Sequence, residues 1–304
     1  MARLAEDLGY YSLWPNEFVA TDASVAARYA EPPTLFDPLI TMCYAAAATQ
    51  RIRLTPSTIV LPHHDPILLA RELATLDVFS SGRVSLGIGL GGSAEEYQRV
   101  RGTIQKPNRG RMMDEYIQAL RAVWTTRSAS FEGRYVRFRD LETMPKPVQD
   151  PLPIFMAGHA DGVFRRLAAY GQGLIDSNMM PDDLRAAIDH VHAYAREAGR
   201  GDVRFEIARQ FYVSIAPTEA EAKANHAASV PPATRVQPAR SEAARAADRP
   251  AERSLIGTPD QIQARLRAYV QAGATEICAI FYFPDDEAAE RQLRLFAEEV
   301  VPVL

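Results

Sequence analysis

LATLDVFSSGRVSLGIGLG, residues 73–91, reads as a helix that runs through a Ser-Ser-Gly turn into a strand. The helix is expected over 66–80 and the strand, RVSLGIGL, over 83–90. That strand is a nearly continuous apolar run rather than an alternating one. Strands buried on both faces look like this, as in a parallel sheet wrapped by helices. The same alternation extends in both directions. Helices are expected at 1–9, 36–50, 109–127, 160–171, 181–199, 257–273 and 285–300. Strands are expected at YSLW (11–14), IRLTPSTIVL (52–61), PIFMAG (153–158), GLIDS (173–177), VRFEIARQFYVSI (203–215) and EICAIFYF (276–283). Repeated βα units point to an α/β fold, either a (β/α)8 barrel or a doubly wound sheet. A length of 304 residues suits one barrel domain, 1–304.

The count gives seven strands, and the first element is a helix starting at Met1. A barrel needs a strand before it. The expectation is an open sheet, or a chain lacking its first strand through truncation or a start codon placed too far downstream. Two stretches interrupt the alternation. SFEGRYVRFRD (130–140) reads as a hairpin turning near Gly133, followed by the Pro-rich MPKPVQDPLP. Residues 222–255 hold few large aliphatics, so a mobile insertion is expected there, either a lid or a plain spacer.

The net charge of −4 carries no basic footprint for nucleic acid. No apolar run approaches the ~18 residues of a membrane span, and MARLAEDLGY is an amphipathic helix rather than a signal peptide. Cys43 and Cys278 both lie in apolar runs and read as buried thiols of a reducing, cytoplasmic compartment.

A barrel builds its site from loops after the strands. Here these are Pro15–Phe18, Pro62–Asp65, Leu90–Tyr97, Gly158–Gly162 and Ser177–Met180. In MAGHADGV a glycine turn opens a helix, which favours an anion, although the spacing alone reads better as a plain turn capped by Asp161. GIGLGG follows a strand, but its spacing is not that of a dinucleotide fingerprint. In a barrel those glycines are expected to let a flat ring lie against backbone. His63 and His64 sit at the rim beside Asp65. Adjacent side chains in an extended loop point apart, and no third ligand is apparent, so no metal is assigned. His190, His192 and His226 read as surface residues. Strand-end Leu90, Met179, Met180, Phe281, Tyr282 and Phe283 fit an apolar pocket or core packing.

Several pieces together resemble the bacterial luciferase-like monooxygenase family of flavin and deazaflavin oxidoreductases. They are ARLAEDLGYYSLW, FDPLITMCYAAAATQRIRL, STIVLPHHDPILLARELATLDVFSSGRVSLGIGLG, RMMDEYIQALRAVWT, FEGRYVRF, PKPVQDPLPIFMAG, RRLAAYGQGLI and GTPDQIQARLRAYVQAGATEI, in family order. ARYAEPPTLFDPL and PKPVQ look most like the F-420-dependent branch. The resemblance implies a TIM barrel whose first strand precedes ARLAEDLGY. It implies deazaflavin F-420 or FMN as cofactor, a small-molecule substrate and a homodimer. It places the cofactor phosphate at Gly158, His159, Ala160, Gly162 and Val163, and a cis peptide at Ser57–Thr58 behind the ring. Leu90 and Gly91 fall beside the cofactor, with Leu90 where many FMN-binding relatives carry an arginine. Relatives often place a catalytic histidine where this chain has Phe18. Glu17, His63, His64, Tyr97 and His159 are then the candidates for acid–base work, Glu17 if burial by Trp14 and Phe18 raises its pKa. Otherwise Glu17 pairs with an arginine or caps a segment, the reaction is a hydride transfer needing little acid–base help, or the protein binds its cofactor without turnover.

Overall fold

Asp65 and Pro66 start the helix that precedes the Ser-Ser-Gly turn. The Asp65 side chain accepts from the Ile67 and Leu68 amides, and Pro66 takes the first helical position, where its missing N–H costs nothing. Ser81 and Gly82 then turn with φ of 58° and 81°, and the Gly82 amide donates to the Asp77 carbonyl. Buried Asp77 accepts from the Val148 and Gln149 amides and from the Gln149 side chain, which ties the Pro-rich segment under the sheet.

The computed structural model describes residues 1–17, 19, 36–91, 94–102, 108–229 and 254–303. In chain order the elements begin α1 (Ala2–Asp7), β1 (Ser12–Leu13), α2 (Pro38–Ala48), β2 (Arg53–Leu54), β3 (Ile59–Val60), α3 (Pro66–Phe79) and β4 (Leu86–Gly89). There follow α4 (Ala94–Arg101), α5 (Arg109–Thr125), the hairpin β5 (Ser128–Glu132) and β6 (Arg137–Glu142), β7 (Ile154–Ala157), α6 (Asp161–Tyr170) and β8 (Gly173–Asp176). The last are α7 (Pro181–Glu197), β9 (Glu206–Ile215), α8 (Glu219–Ser229), β10 (Ser254–Gly257), α9 (Pro259–Gln271), β11 (Glu276–Phe281) and α10 (Asp286–Leu295), which runs on into a π-helical turn.

The hairpin aside, every strand pairing is parallel. The main sheet runs β10-β9-β8-β7-β4-β3, with β11 also on β9, while β1 pairs β2 and a bridge from Leu54 to Val84 joins the two parts. Helices cover the outer face. Leu69, Leu73 and Leu76 of α3 and Ile117 and Leu120 of α5 are fully buried there, and Trp124 Nε1 donates to the Ala70 carbonyl. Inside, Trp14 meets Phe155 edge-on at 5.8 Å, and the Gln210 side chain crosses to Ser57 Oγ.

Several expectations are corrected. The 52–61 strand is two short strands around a break at 55–58. Part of the expected mobile insertion is ordered, since 222–229 belong to α8 and 254–255 to β10, while 230–253 lie outside the described residues. Tyr97 lies on α4 rather than in a loop. Cys43 is exposed on the outer face of α2, and only Cys278 is buried. His192 and His226 are half-buried, the first against Phe205 and the second against Tyr282.

Glu276, at the start of β11, accepts hydrogen bonds from Ser12 Oγ and Trp14 Nε1. Burial nevertheless raises its pKa, outweighing both donors. A raised folded-state pKa means stability that is complete below the ordinary carboxylate value and lost as pH rises through the raised one. Glu276→Gln keeps an acceptor for both donors. It is expected to raise the melting temperature near pH ~8 more than near pH ~4. Equal gains at both would remove the titration argument.

Candidate active site

Glu17 is the residue whose surroundings were hardest to foresee. Its side chain is 5% exposed. One carboxylate oxygen accepts the Val60 amide at 2.5 Å, and the other lies 2.7 Å from His64 Nε2. The carboxylate therefore caps the 3-10 turn Leu61–His63 and holds a histidine, rather than pairing with an arginine. Phe18, the position of the expected histidine, lies outside the described residues. Arg101 of α4 donates to the Pro62 and His64 carbonyls, fixing the histidine loop from the other side.

His63 and His64 point to different partners. The His63 ring stacks on Tyr97 at 5.5 Å, and its Nδ1 is buried with no hydrogen-bond partner among the described residues. Burial pushes the His63 pKa down, with His64, Arg101 and Arg109 acting the same way against the attraction of Glu17. A neutral imidazole with an unused nitrogen is left at the rim. Among the described residues no group of three or more His, Cys, Asp or Glu side chains is placed to hold a metal.

The Ser57–Thr58 peptide is cis, as the sequence resemblance implied. The glycines of β4 and after it have a packing reason of their own. A Cβ on Gly87 would lie 2.0 Å from the Pro56 carbonyl oxygen, one on Gly89 2.7 Å from Thr58 Oγ1, and one on Gly91 2.8 Å from Val60 Cγ1. These glycines admit the neighbouring 56–60 segment where their side chains would stand.

The β7–α6 loop is open to solvent at the start of α6. Gly158 takes φ of 126°, a conformation that suits glycine, and beside Gly162 there is open space where a side chain would stand. His159 and Ala160 are exposed there, and the Val163 amide turns back to the Ala160 carbonyl. Ala160 caps α6 without a side-chain bond. Asp161 is drawn to Arg165 and Tyr194 instead, and those bonds lower its pKa. Arg166 donates to both the Gly162 and Gly110 carbonyls, which brings the N-termini of α5 and α6 together. Arg109, missed in the sequence, donates to the Leu90 carbonyl at 2.9 Å. A guanidinium thus stands beside Leu90 although position 90 carries none. Its only sequence signal was an arginine at a helix start.

The expected apolar pocket is mostly packing. Met179 is buried, the Met180 sulfur meets the Tyr269 hydroxyl, and Phe281 lies edge-on to Phe296. Tyr282 stacks on Tyr212 and lies against His226, forming an aromatic group after β11.

Residues 1–276 match the luciferase-like monooxygenase family. An uncharacterized protein from Mycobacterium bovis is 35% identical over 187 residues, 57% of this chain and 65% of that protein, so the chain spans under two thirds of its length. The FMNH2-dependent dimethylsulfone monooxygenase of Pseudomonas putida is 28% identical over 74% of this chain and 59% of its own. The F-420-dependent glucose-6-phosphate dehydrogenase of Kineococcus radiotolerans is 26% identical over 88% of this chain and 82% of its own. Monooxygenase RslO1 from Streptomyces bottropensis superposes with a TM-score of 0.79 at 23% identity, over 99% of this chain and 92% of its own, and so shares the fold. The chain is a TIM-barrel protein and belongs to the luciferase-like monooxygenase family.

Proposed function

We propose that this chain is an oxidoreductase that exchanges a hydride between deazaflavin F-420 and a small organic substrate. The observation that supports it is the carboxylate–histidine pair Glu17–His64 after β1 and β3, with Glu17 buried and Arg109 standing at Leu90 after β4. Gly158, His159, Ala160, Gly162 and Val163 would hold the cofactor's phosphate, with Arg109 beside Leu90 and Gly91. The residues suit an anionic, ring-bearing cofactor: the helix N-termini and Arg109 favour negative charge, and His63 Nδ1 lacks a partner among the described residues. When bound, such a cofactor supplies or accepts the hydride. The protein's part is the proton. With His64 Nε2 committed to Glu17, Nδ1 is the nitrogen left to give or take a proton at the substrate. Tyr97 positions His63, and Ser57 and Thr58 back the site.

F-420 is preferred to FMN because the wider of the two assigned relatives' matches is to an F-420 enzyme. A reduced-FMN monooxygenase using dioxygen is the other reading, favoured by the P. putida relative and by Arg109, which supplies the cation position 90 lacks. Titration of the purified protein with each cofactor, followed by visible absorbance, decides between them. Saturable F-420 binding supports the main reading and FMN binding the other. Binding of neither by the folded protein would refute both.

The protein is proposed to act as a homodimer. No helix among the described residues is long and apolar enough to cross a membrane. Yet α2 is apolar nearly all round, a pattern proper to a buried helix, and Ile40 and Tyr44 on its outer face are 72% and 84% exposed. Leu68 and Phe79 of α3 are also exposed. Tyr44→Glu is expected to weaken association by about 2 kcal/mol or more, roughly thirtyfold in Kd. Sedimentation equilibrium would show it, and an unchanged Kd would move the interface elsewhere.

A further inference from the structure

Residues 146–152 lead into β7 across the C-terminal end of α5, and a cleft of about 410 Å³ lies between them and that helix end. This is an ordinary size for a small-molecule site. The cleft precedes β7, whereas the Gly158 loop follows it, so it lies at the other end of the sheet from Glu17 and His64. Its wall is held from behind. The Val148 and Gln149 amides donate to Asp77, and the Gln149 side chain donates to Asp77 and to the Val84 carbonyl. A site held in this way is preformed, which lowers the cost of ordering it around a ligand. Trp124 and Leu152 are buried in the wall beside Pro147 and Pro151. The only side-chain donor of Trp124 goes to the Ala70 carbonyl, so this side is apolar.

The polar lining is cationic. Lys146 Nζ donates to the Val123 and Thr126 carbonyls, which leaves its third N–H unused among the described residues. Arg121 donates through Nη2 to the Tyr170 carbonyl, and its buried Nε has no partner among the described residues. Arg200 donates to the Leu167, Ala168 and Gly171 carbonyls. Burial pushes the Arg121 pKa down, and the nearby Arg200 charge pushes it further. A helix C-terminus carries roughly half a negative charge. Lys146 takes the end of α5 and Arg200 that of α6, so a full positive charge already outweighs each end, and Arg121 is added to them. Among the described residues Asp150 is the one acid in the lining, exposed and without an ion pair to Lys146 or Arg121. Glu142 attracts Lys146 but also faces Arg127. The balance is an excess of about one positive charge beside an apolar wall.

We propose that this cleft is a second ligand site, which takes a small organic oxyanion: a carboxylate or phosphate carried on a flat apolar body. The oxyanion lies at Lys146 and Arg121, where charge-assisted hydrogen bonds hold it. The body lies against Trp124, Leu152 and the two prolines. The site is independent of which cofactor the active site takes.

Phenyl phosphate is the probe, titrated into the full chain and followed by calorimetry, with inorganic phosphate as the head group alone. Saturable binding of phenyl phosphate is expected with a Kd of about 1 mM or below. It should be about tenfold tighter than inorganic phosphate, because the ring buries apolar surface. Lys146→Gln is expected to weaken it by about tenfold or more. Asp150→Asn changes an exposed side chain with no ion pair to break, and is expected to tighten it about threefold by removing a like charge. That variant serves even where Lys146→Gln fails to fold. Absence of saturable binding overturns the proposal. Binding that Asp150→Asn leaves unchanged also overturns it, since the phosphate would then sit elsewhere, the Gly158 loop included. Equal affinity for the two probes overturns it as well, since the apolar wall would then play no part.

Discussion

Glu17→Gln is expected to lower kcat by about 10²- to 10⁴-fold while leaving KM nearly unchanged, the range for losing a positioned acid–base group. The carboxylate makes two contacts at once, one to the Val60 amide and one to His64 Nε2. A glutamine side chain has one acceptor oxygen and a donor NH2. With its oxygen on the Val60 amide, the NH2 meets His64 Nε2 and holds that nitrogen as the acceptor, which puts the imidazole proton on Nδ1 and reverses the role of the nitrogen that faces the substrate. His64→Asn should cost a similar factor, and the double variant little more than either alone, because the two act as one unit. The pH profile of the residual rate supplies an independent readout, since a residue that only supports the fold would lower the rate without moving the profile. A kcat within twofold of the parent for Glu17→Gln would remove the pair from the mechanism. Neutral His63 would then be the candidate, with its pKa already lowered by burial.

The pairing shows where the sequence stops being legible. Glu17 and His64 are 47 residues apart, and nothing local to either announces the other. By contrast, the Asp65-Pro66 start and the Ser81-Gly82 stop of α3 are local chemistry, and the helix between them was readable from the chain alone. β10 was missed because its four residues exist as a strand only through pairing with the far half of β9. α4 was missed because AEEYQRVR has almost no apolar face, and it is held by what its side chains reach: Tyr97 on His63, Arg101 on the loop carbonyls. Cys43 was misread for the opposite reason. The apolar character of α2 is real, but one face of it is turned outward, where the proposed dimer would cover it. The glycines of β4 were seen as special, while the reason, close approach of the 56–60 segment, is a tertiary fact.

Asp176→Asn is expected to destabilise the protein by about 3–5 kcal/mol, the usual cost of leaving a buried charge without its partner. Arg209 of β9 is 0% exposed and Asp176 at the end of β8 is 1% exposed, with Arg209 Nε 3.1 Å from the carboxylate. The guanidinium lies 4.3 Å from the Phe211 ring centre and 5.0 Å from that of Tyr269. Its Nη1 donates to the Gln210 carbonyl, but among the described residues Nε and Nη2 have no well-aligned hydrogen bond, so the carboxylate is the chief compensation for the charge there. Asparagine keeps an oxygen for the Asn178 and Met179 amides, which separates the lost charge from the lost turn. For a domain of this size the loss corresponds to a melting temperature lower by about 5–10 °C. Because the aromatic rings already make an apolar bed, Asp176→Asn combined with Arg209→Met should recover most of the stability, replacing a desolvated pair by packing. Urea unfolding of the two single variants and the double variant closes the cycle. A single Asp176→Asn within about 1 kcal/mol of the parent would mean that Arg209 is compensated by groups other than Asp176.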